Sequence, residues 1–247
     1  YNLKGLIKML IKNGAVYNEI DSLGTTPLIF AAEHCDVDII ELLRDNGAIM
    51  DRINRQNGYD AIDYAILHNK IEVVKTLLEI DKFKFQELLG KTVENGIWRN
   101  YRYYYLSHRK EITCNEKGYR LQSGEGETYL MQALKRGDME IIKLILSYFD
   151  YEEYLQLKNF KSGKNVLHEA VLLNNKEMME LLISKKMNLN EQDGTGSIGY
   201  TALMYACNNY DEKAFEIANL LIDAGADVTL INYQKESALS LVSKRII

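Results

Sequence analysis

The sequence predicts an all-α solenoid: stacked helix-turn-helix repeats in one quasi-linear array, with a small β-rich insertion near the middle. Three observations predict it. A short pattern returns along the 247 residues at nearly constant spacing, and most copies are followed by a second apolar block with helical periodicity. A single proline, Pro27, leaves Gly, Asn and Asp to break the helices.

The pattern is a glycine, a spacer, a Thr or small polar anchor, then apolar residues around an alanine. It is clearest at Gly24-Thr25-Thr26-Pro27-Leu28-Ile29-Phe30-Ala31-Ala32. The anchors are Thr26, Asp60, Thr128, Asn165, Thr201 and, more weakly, Ser237, separated by 34, 68, 37, 36 and 36 residues. About ten residues after most anchors comes the second block, at 37–43, 71–78, 139–146, 176–183 and 214–222. Apolar pairs at i, i+3, i+4 make each block an amphipathic helix with one wide apolar face. Asn13-Gly14-Ala15, Asn46-Gly47-Ala48 and Ala224-Gly225-Ala226 supply glycine stops just beyond several last turns.

This layout resembles the ankyrin repeat, a short helix opened by Thr-Pro-Leu-His-x-Ala, a longer antiparallel helix and a Gly-Ala-Asp-Val loop. Thr26-Pro27-Leu28 and Gly225-Ala226-Asp227-Val228 match that wording almost directly. The resemblance divides 1–247 into a half repeat 1–20, repeats near 21–53, 54–83, 122–157, 158–192 and 193–230, and a half repeat 231–247. Residues 3–15 read as a second helix without its first, and 237–247 as a first helix without its second. Neither end shows a polar capping repeat, and missing residues are expected upstream of Tyr1. One helix pair cannot bury its apolar faces alone, so each repeat draws stability from its neighbours.

Residues 84–121 are an irregular insertion or a degenerate repeat. In the repeat register Glu94-Asn95-Gly96-Ile97-Trp98-Arg99 replaces the opening motif and puts glycine where leucine belongs. A short helix near 84–94, alternating Tyr101, Tyr103 and Tyr105, and a hairpin around Asn115-Glu116-Lys117-Gly118 favour an insertion with β character. Residues 97–120 hold six basic and two acidic side chains, a charge of +4 that leaves −9 on the rest of a −5 chain. Trp98, Arg99, Tyr101, Arg102, Tyr103, Tyr104 and Tyr105 are the residue types enriched in binding hot spots. The alternative is that these rings pack back on neighbouring helices.

Several segments carry motif-like residues. Gly194-Thr195-Gly196-Ser197-Ile198-Gly199 spells a dinucleotide-binding fingerprint, but no buried strand precedes it and Gly199 already serves the repeat. Ser123-Gly124-Glu125-Gly126-Glu127 lacks the Gly-Lys-Ser/Thr of a phosphate loop. His34 and His68, each eight residues past an anchor, read as surface or capping residues, and the resemblance gives His168 a structural hydrogen-bonding role. Adjacent acids such as Glu152-Glu153 and Asp211-Glu212 read as solvated turn residues. No catalytic constellation, cofactor site or metal-ligand spacing emerges.

Three widely spaced cysteines, Cys35, Cys114 and Cys207, form no disulfide framework, and a reducing, cytoplasmic setting is expected, with export left open. No apolar run reaches the length of a membrane span.

The function expected is a non-enzymatic protein-protein interaction module, a monomer gripping an unidentified protein partner. The resemblance implies a concave surface of turn tips and first helices, including Ser22-Leu23, Ile53-Asn54-Arg55, Asn159-Phe160-Lys161, Ser197-Ile198 and Ile231-Asn232-Tyr233. Leu23, Ile53, Arg55, Phe160 and Tyr233 are the candidate contacts on these tips, beside the aromatic insert. One alternative is nucleic-acid binding through the basic, aromatic insert, which the acidity of the remainder argues against. Another is a regulatory or targeting fragment of a larger enzyme, or an exported effector.

Overall fold

The computed structural model describes residues 3–50, 52–79, 127–149, 152–159, 162–194, 198–209 and 211–244. Among them the regular structure is helical, with no strand beyond an isolated antiparallel bridge between Ile231 and Ser237. The predicted helix near 84–94, the hairpin and the aromatic run Trp98–Tyr105 lie outside the described residues. The chain forms two compact units, one of Tyr1–Glu125 with Asp138–Leu144, the other of Gly126–Gly137 with Ile145–Ile247.

The recurring polar anchor has a local physical cause: it caps a helix. A helix leaves its first N–H groups without partners, and a small polar side chain in extended backbone can accept them. Thr26, Thr128, Thr201 and Ser237 each accept the N–H three residues on, from Ile29, Met131, Met204 and Ser240. Asp60 and Asn165 accept two N–H groups each, from Ile62 and Asp63 and from Leu167 and His168. Asp63, His168 and Ser240 return the bond to the anchor's own N–H, closing a capping box.

In the first unit, α1 spans Leu3–Lys12, α2 Pro27–His34, α3 Val37–Asp45, α4 Ala61–Leu67 and α5 residues 71–79. Helix α2 packs against α3 and α4, and α1 against α3. Leu28, Ile29, Ile40, Leu43, Ile66, Val74 and Leu77 are buried, and Ala31, Ala32 and Ala65 let the first helices approach closely. The two glycine stops match: Ala15 N–H bonds to Leu10 C=O and Ala48 N–H to Leu43 C=O, both at 3.0 Å. Asn18 ties the two loops, donating to Gly47 C=O and accepting from Ile49 N–H.

Helix α6 spans Tyr129–Arg136 and α7 Met139–Tyr148, whose first half belongs to the first unit. The second unit continues with α8 (Glu152–Leu155), α9 (Val166–Leu172), α10 (Lys176–Ser184), α11 (Ala202–Cys207), α12 (Glu212–Asp223) and α13 (Ala238–Ser243). The first helices α6, α9, α11 and α13 stack in sequence, while α10 backs α9 and α12 backs α11. Tyr154 of α8 is fully buried, its ring stacked 4.8 Å from that of Phe149 and its hydroxyl accepting the Leu130 N–H at 3.2 Å. Glu152 and Glu153 open a short helix that delivers Tyr154 to the core, where the sequence pattern suggests a turn. Asp211, read in the same way, is the N-cap of α12 and also accepts from Asn174.

Candidate interaction surface

The turns between repeats are built on an Asp or Asn that accepts backbone N–H groups within its own loop. Asp21 accepts from Leu23 and Thr25 at 2.9 and 2.8 Å, and Asn232 from Gln234 and Glu236 at 2.9 and 2.8 Å. Asp193 accepts from Gly199 and Tyr200 at 2.7 and 2.9 Å. Asn54 accepts from Gln56 and Asn159 from Ser162. The Thr25 N–H, above all, holds the Asp21 carboxyl below the usual carboxylate range. Each turn also bonds its neighbour: Arg55 N–H donates to Leu23 C=O, Gly194 N–H to Gly163 C=O, and Tyr233 N–H to Ile198 C=O.

In the first unit this places Leu23 and Arg55 on the surface and Ile53 half-buried. Phe30 on α2 is exposed beside His34, their ring centroids 4.4 Å apart. His34 and His68, equivalent positions on α2 and α4, both face the Glu33 carboxylate at 3.5 and 3.3 Å. Both histidines are surface residues at helix ends, and His68 is the C-cap of α4. Lys70 crosses between repeats to the Cys35 carbonyl at 2.8 Å.

The second unit carries a firmer tip. Tyr205 on α11 donates its hydroxyl to Asp193 at 2.6 Å, stands edge-on to Tyr200, and has the Lys164 ammonium 5.6 Å above its ring. Tyr233 lies on Gly199, where an added β-carbon would sit 2.8 Å from three ring atoms, and its hydroxyl donates to Asp193 C=O. Gln192 donates to both Gly199 C=O and Ile231 C=O. These bonds fix the backbone and leave Ile198, Ile231 and Tyr233 exposed. Beneath them, buried His168 turns Nε2 to Glu191 C=O and Tyr200 C=O, both at 3.1 Å, which requires a hydrogen on that nitrogen. Burial pushes its pKa down to about 4, against the opposing pull of Asp193 and the two carbonyls.

Of the sequence candidates, Leu23, Arg55 and Tyr233 are exposed and Ile53 half-buried. Trp98, Arg99, Tyr101, Arg102, Tyr103, Tyr104, Tyr105 and Phe160 lie outside the described residues. The glycines of the nucleotide-like fingerprint that are described serve packing: Gly194 lies so close to Gly163 that a β-carbon on Gly163 would fall on its nitrogen. Among the described residues no group of three His, Cys, Asp or Glu side chains is arranged to hold a metal ion, and no helix is long and apolar enough to cross a membrane.

Sequence reasoning missed the turn-forming Asp and Asn residues and the inter-repeat lysines. The signal existed: Asp21, Asn54, Asn159, Asp193 and Asn232 precede their anchors by 5, 6, 6, 8 and 5 residues. Turn length varies, so the period is visible only when counted backwards from each anchor.

The family model for ankyrin repeats matches in three copies, at residues 1–86, 102–193 and 130–232. An ankyrin repeat protein of fowlpox virus (strain NVSL) is 33% identical over 120 residues, 48% of this chain and 25% of that protein. One from Acanthamoeba polyphaga mimivirus is 25% identical over 214 residues, 87% of this chain and 23% of the relative. The chain thus spans about a quarter of the length of either relative. Among solved structures, the ankyrin repeat domain of Bcl-3 aligns with TM-score 0.68 at 20% identity, covering 97% of this chain and 87% of that one. The human ASB11 ankyrin repeat domain gives 0.62 at 20% identity, with 97% and 86% covered.

Proposed function

This chain belongs to the ankyrin repeat family, and from that premise we propose that it is a non-enzymatic module that binds a protein partner through its turn tips. Ankyrin repeats are in general protein-protein interaction modules. The observation that carries the finer reading is the tip of the second unit. There Ile198, Ile231 and Tyr233 stand exposed on a backbone fixed by Gln192, Asp193 and the Tyr233–Ile198 bond. Exposed apolar and aromatic side chains on a preorganised backbone give contact area at little ordering cost, the requirement for a hot spot. In the same reading the basic, aromatic 97–120 stretch contributes further contacts.

The experiment is site-specific photo-crosslinking in source-cell extract, with the crosslinking residue at position 233 and, for comparison, at position 215. Phe215 is an exposed aromatic on second helix α12. A discrete protein adduct from position 233, absent from 215, is the expected result. Adducts of equal yield from both positions would refute the assignment of the tips.

A further inference from the structure

The loops that follow the second helices share one hydrogen-bonding scheme, and one junction departs from it. In the first unit Asn18, four residues past Gly14, accepts the Ile49 N–H and donates its amide to the Gly47 carbonyl at 3.1 Å. In the second unit Asn190, four residues past Lys186, accepts the Asp227 N–H at 2.8 Å, the same half of the scheme. The other half is missing. Among the described residues neither the Asn190 side-chain NH2 nor the Gly225 carbonyl has a hydrogen-bond partner.

The covering side chain differs as well. Tyr17, three residues past Gly14, lies over Gly47, where an added β-carbon would sit 3.6 Å from its hydroxyl. The equivalent residue past Lys186 is Leu189, and a β-carbon on Gly225 would meet nothing within 4 Å. An open groove of about 360 Å³ lies there, at the small end of ligand sites. Ile183 at the end of α10, Met187 and Leu189 give it an apolar floor, and Lys186, Asn190 and Gly225 form an exposed rim.

Lys186 is the third departure. The stops after α1, α3 and α12 use Gly14, Gly47 and Gly225 at φ +89, +88 and +93, whereas Lys186 holds the same left-handed place at φ +56. A side chain there carries strain that glycine avoids, and strain of that kind collects at binding sites. Lys186 forms no ion pair among the described residues, so its ammonium is free to meet a ligand at the rim.

We propose that this groove is a separate binding site, for an acidic and apolar segment of a protein partner. A Glu or Asp carboxylate of the segment takes the Lys186 ammonium and the Asn190 amide together. A backbone N–H of the segment meets the Gly225 carbonyl, and an adjoining apolar side chain covers Leu189 and Ile183. Each polar group that the groove leaves unpaired thereby gains a partner, and the charged acceptor makes the stronger bonds. The site shares no residue with the turn tips and holds whether or not they bind.

The test is an NMR titration of the intact chain with a blocked dipeptide, N-acetyl-Glu-Leu methylamide, into the millimolar range, and with its Gln-Leu counterpart. Saturable shifts of the Asn190 side-chain amide and of the Ala226 N–H, which follows the Gly225 carbonyl, are expected from the Glu peptide alone. Two variants borrow residues of the other loops, and melting checks that both fold. Lys186→Gly is expected to weaken binding at least about fivefold. Leu189→Tyr, which supplies a ring like that of Tyr17, is expected to abolish it. No saturable shift, an equal response to the Gln peptide, or a Lys186→Gly chain that binds like the native one would each overturn the proposal. Inorganic phosphate that gives the same shifts at lower concentration than the peptide would overturn it too, reassigning the groove to a free anion.

Discussion

Tyr233 rests its ring on the backbone of Gly199 so closely that a β-carbon at 199 would lie 2.8 Å from three ring atoms. Gly199 also sits at φ +80, where a side chain is strained in any case. Gly137, the left-handed C-cap of α6, shares the strain but has nothing within 4 Å of such a carbon. Gly137→Ala is expected to cost about 1 kcal/mol from conformation alone. Gly199→Ala should cost clearly more and displace Tyr233, which paired denaturant midpoints with tyrosine fluorescence would report.

Each anchor is a helix cap. Thr128→Ala and Thr201→Ala remove the acceptors of the Met131 and Met204 N–H groups inside buried helix starts. Each should lower stability by about 1 kcal/mol, with Ser at either position restoring most of it. Equal losses for Ser and Ala would show that the methyl group, not the hydroxyl, matters there.

His168 links stability to pH. Its folded pKa, about 4, lies below the ordinary histidine value of 6.5, so between those values the unfolded chain binds the proton that the folded chain refuses. Stability from this group is complete above pH 6.5, declines as pH falls towards 4, and changes no further below. The full span is roughly 3 kcal/mol. Comparing unfolding midpoints at pH 7 and 4.5 for the native chain and His168→Gln isolates this contribution; a variant with the same pH dependence would exclude His168 as its source.

The aromatic stretch gives a separate expectation. Replacing Trp98, Tyr103 and Tyr105 together by Ala should weaken binding of the crosslinked partner by more than ~2 kcal/mol, the hot-spot scale. Unchanged affinity with unchanged melting would remove these residues from the interface.

Helix positions were legible because two independent periodicities agreed: anchors near every 36 residues and apolar pairs at helical spacing. The anchors' chemistry was legible only as a preference for small polar residues; capping, the reason for it, appears once Thr201 meets the Met204 N–H. The tip was half legible. Tyr233 could be chosen as an exposed aromatic, but its partner Gly199 lies 34 residues away, and close backbone approach across repeats leaves no local pattern. Glu152-Glu153 stand in a short helix rather than a turn, and the determinant is Tyr154 beside them, drawn inward onto Phe149. His168 was placed correctly by family resemblance, but its partners Glu191 and Tyr200 are loop carbonyls that any sequence could supply.

The most direct test of the central claim is the affinity of the partner crosslinked at position 233 for three chains: native, Ile198→Asp with Tyr233→Ala, and Phe215→Asp. Binding through the tips requires the double variant to lose at least about tenfold in affinity, or 1.4 kcal/mol, with melting unchanged and Phe215→Asp binding like the native chain. A double variant that binds as tightly as the native chain, or a loss confined to Phe215→Asp, would contradict it.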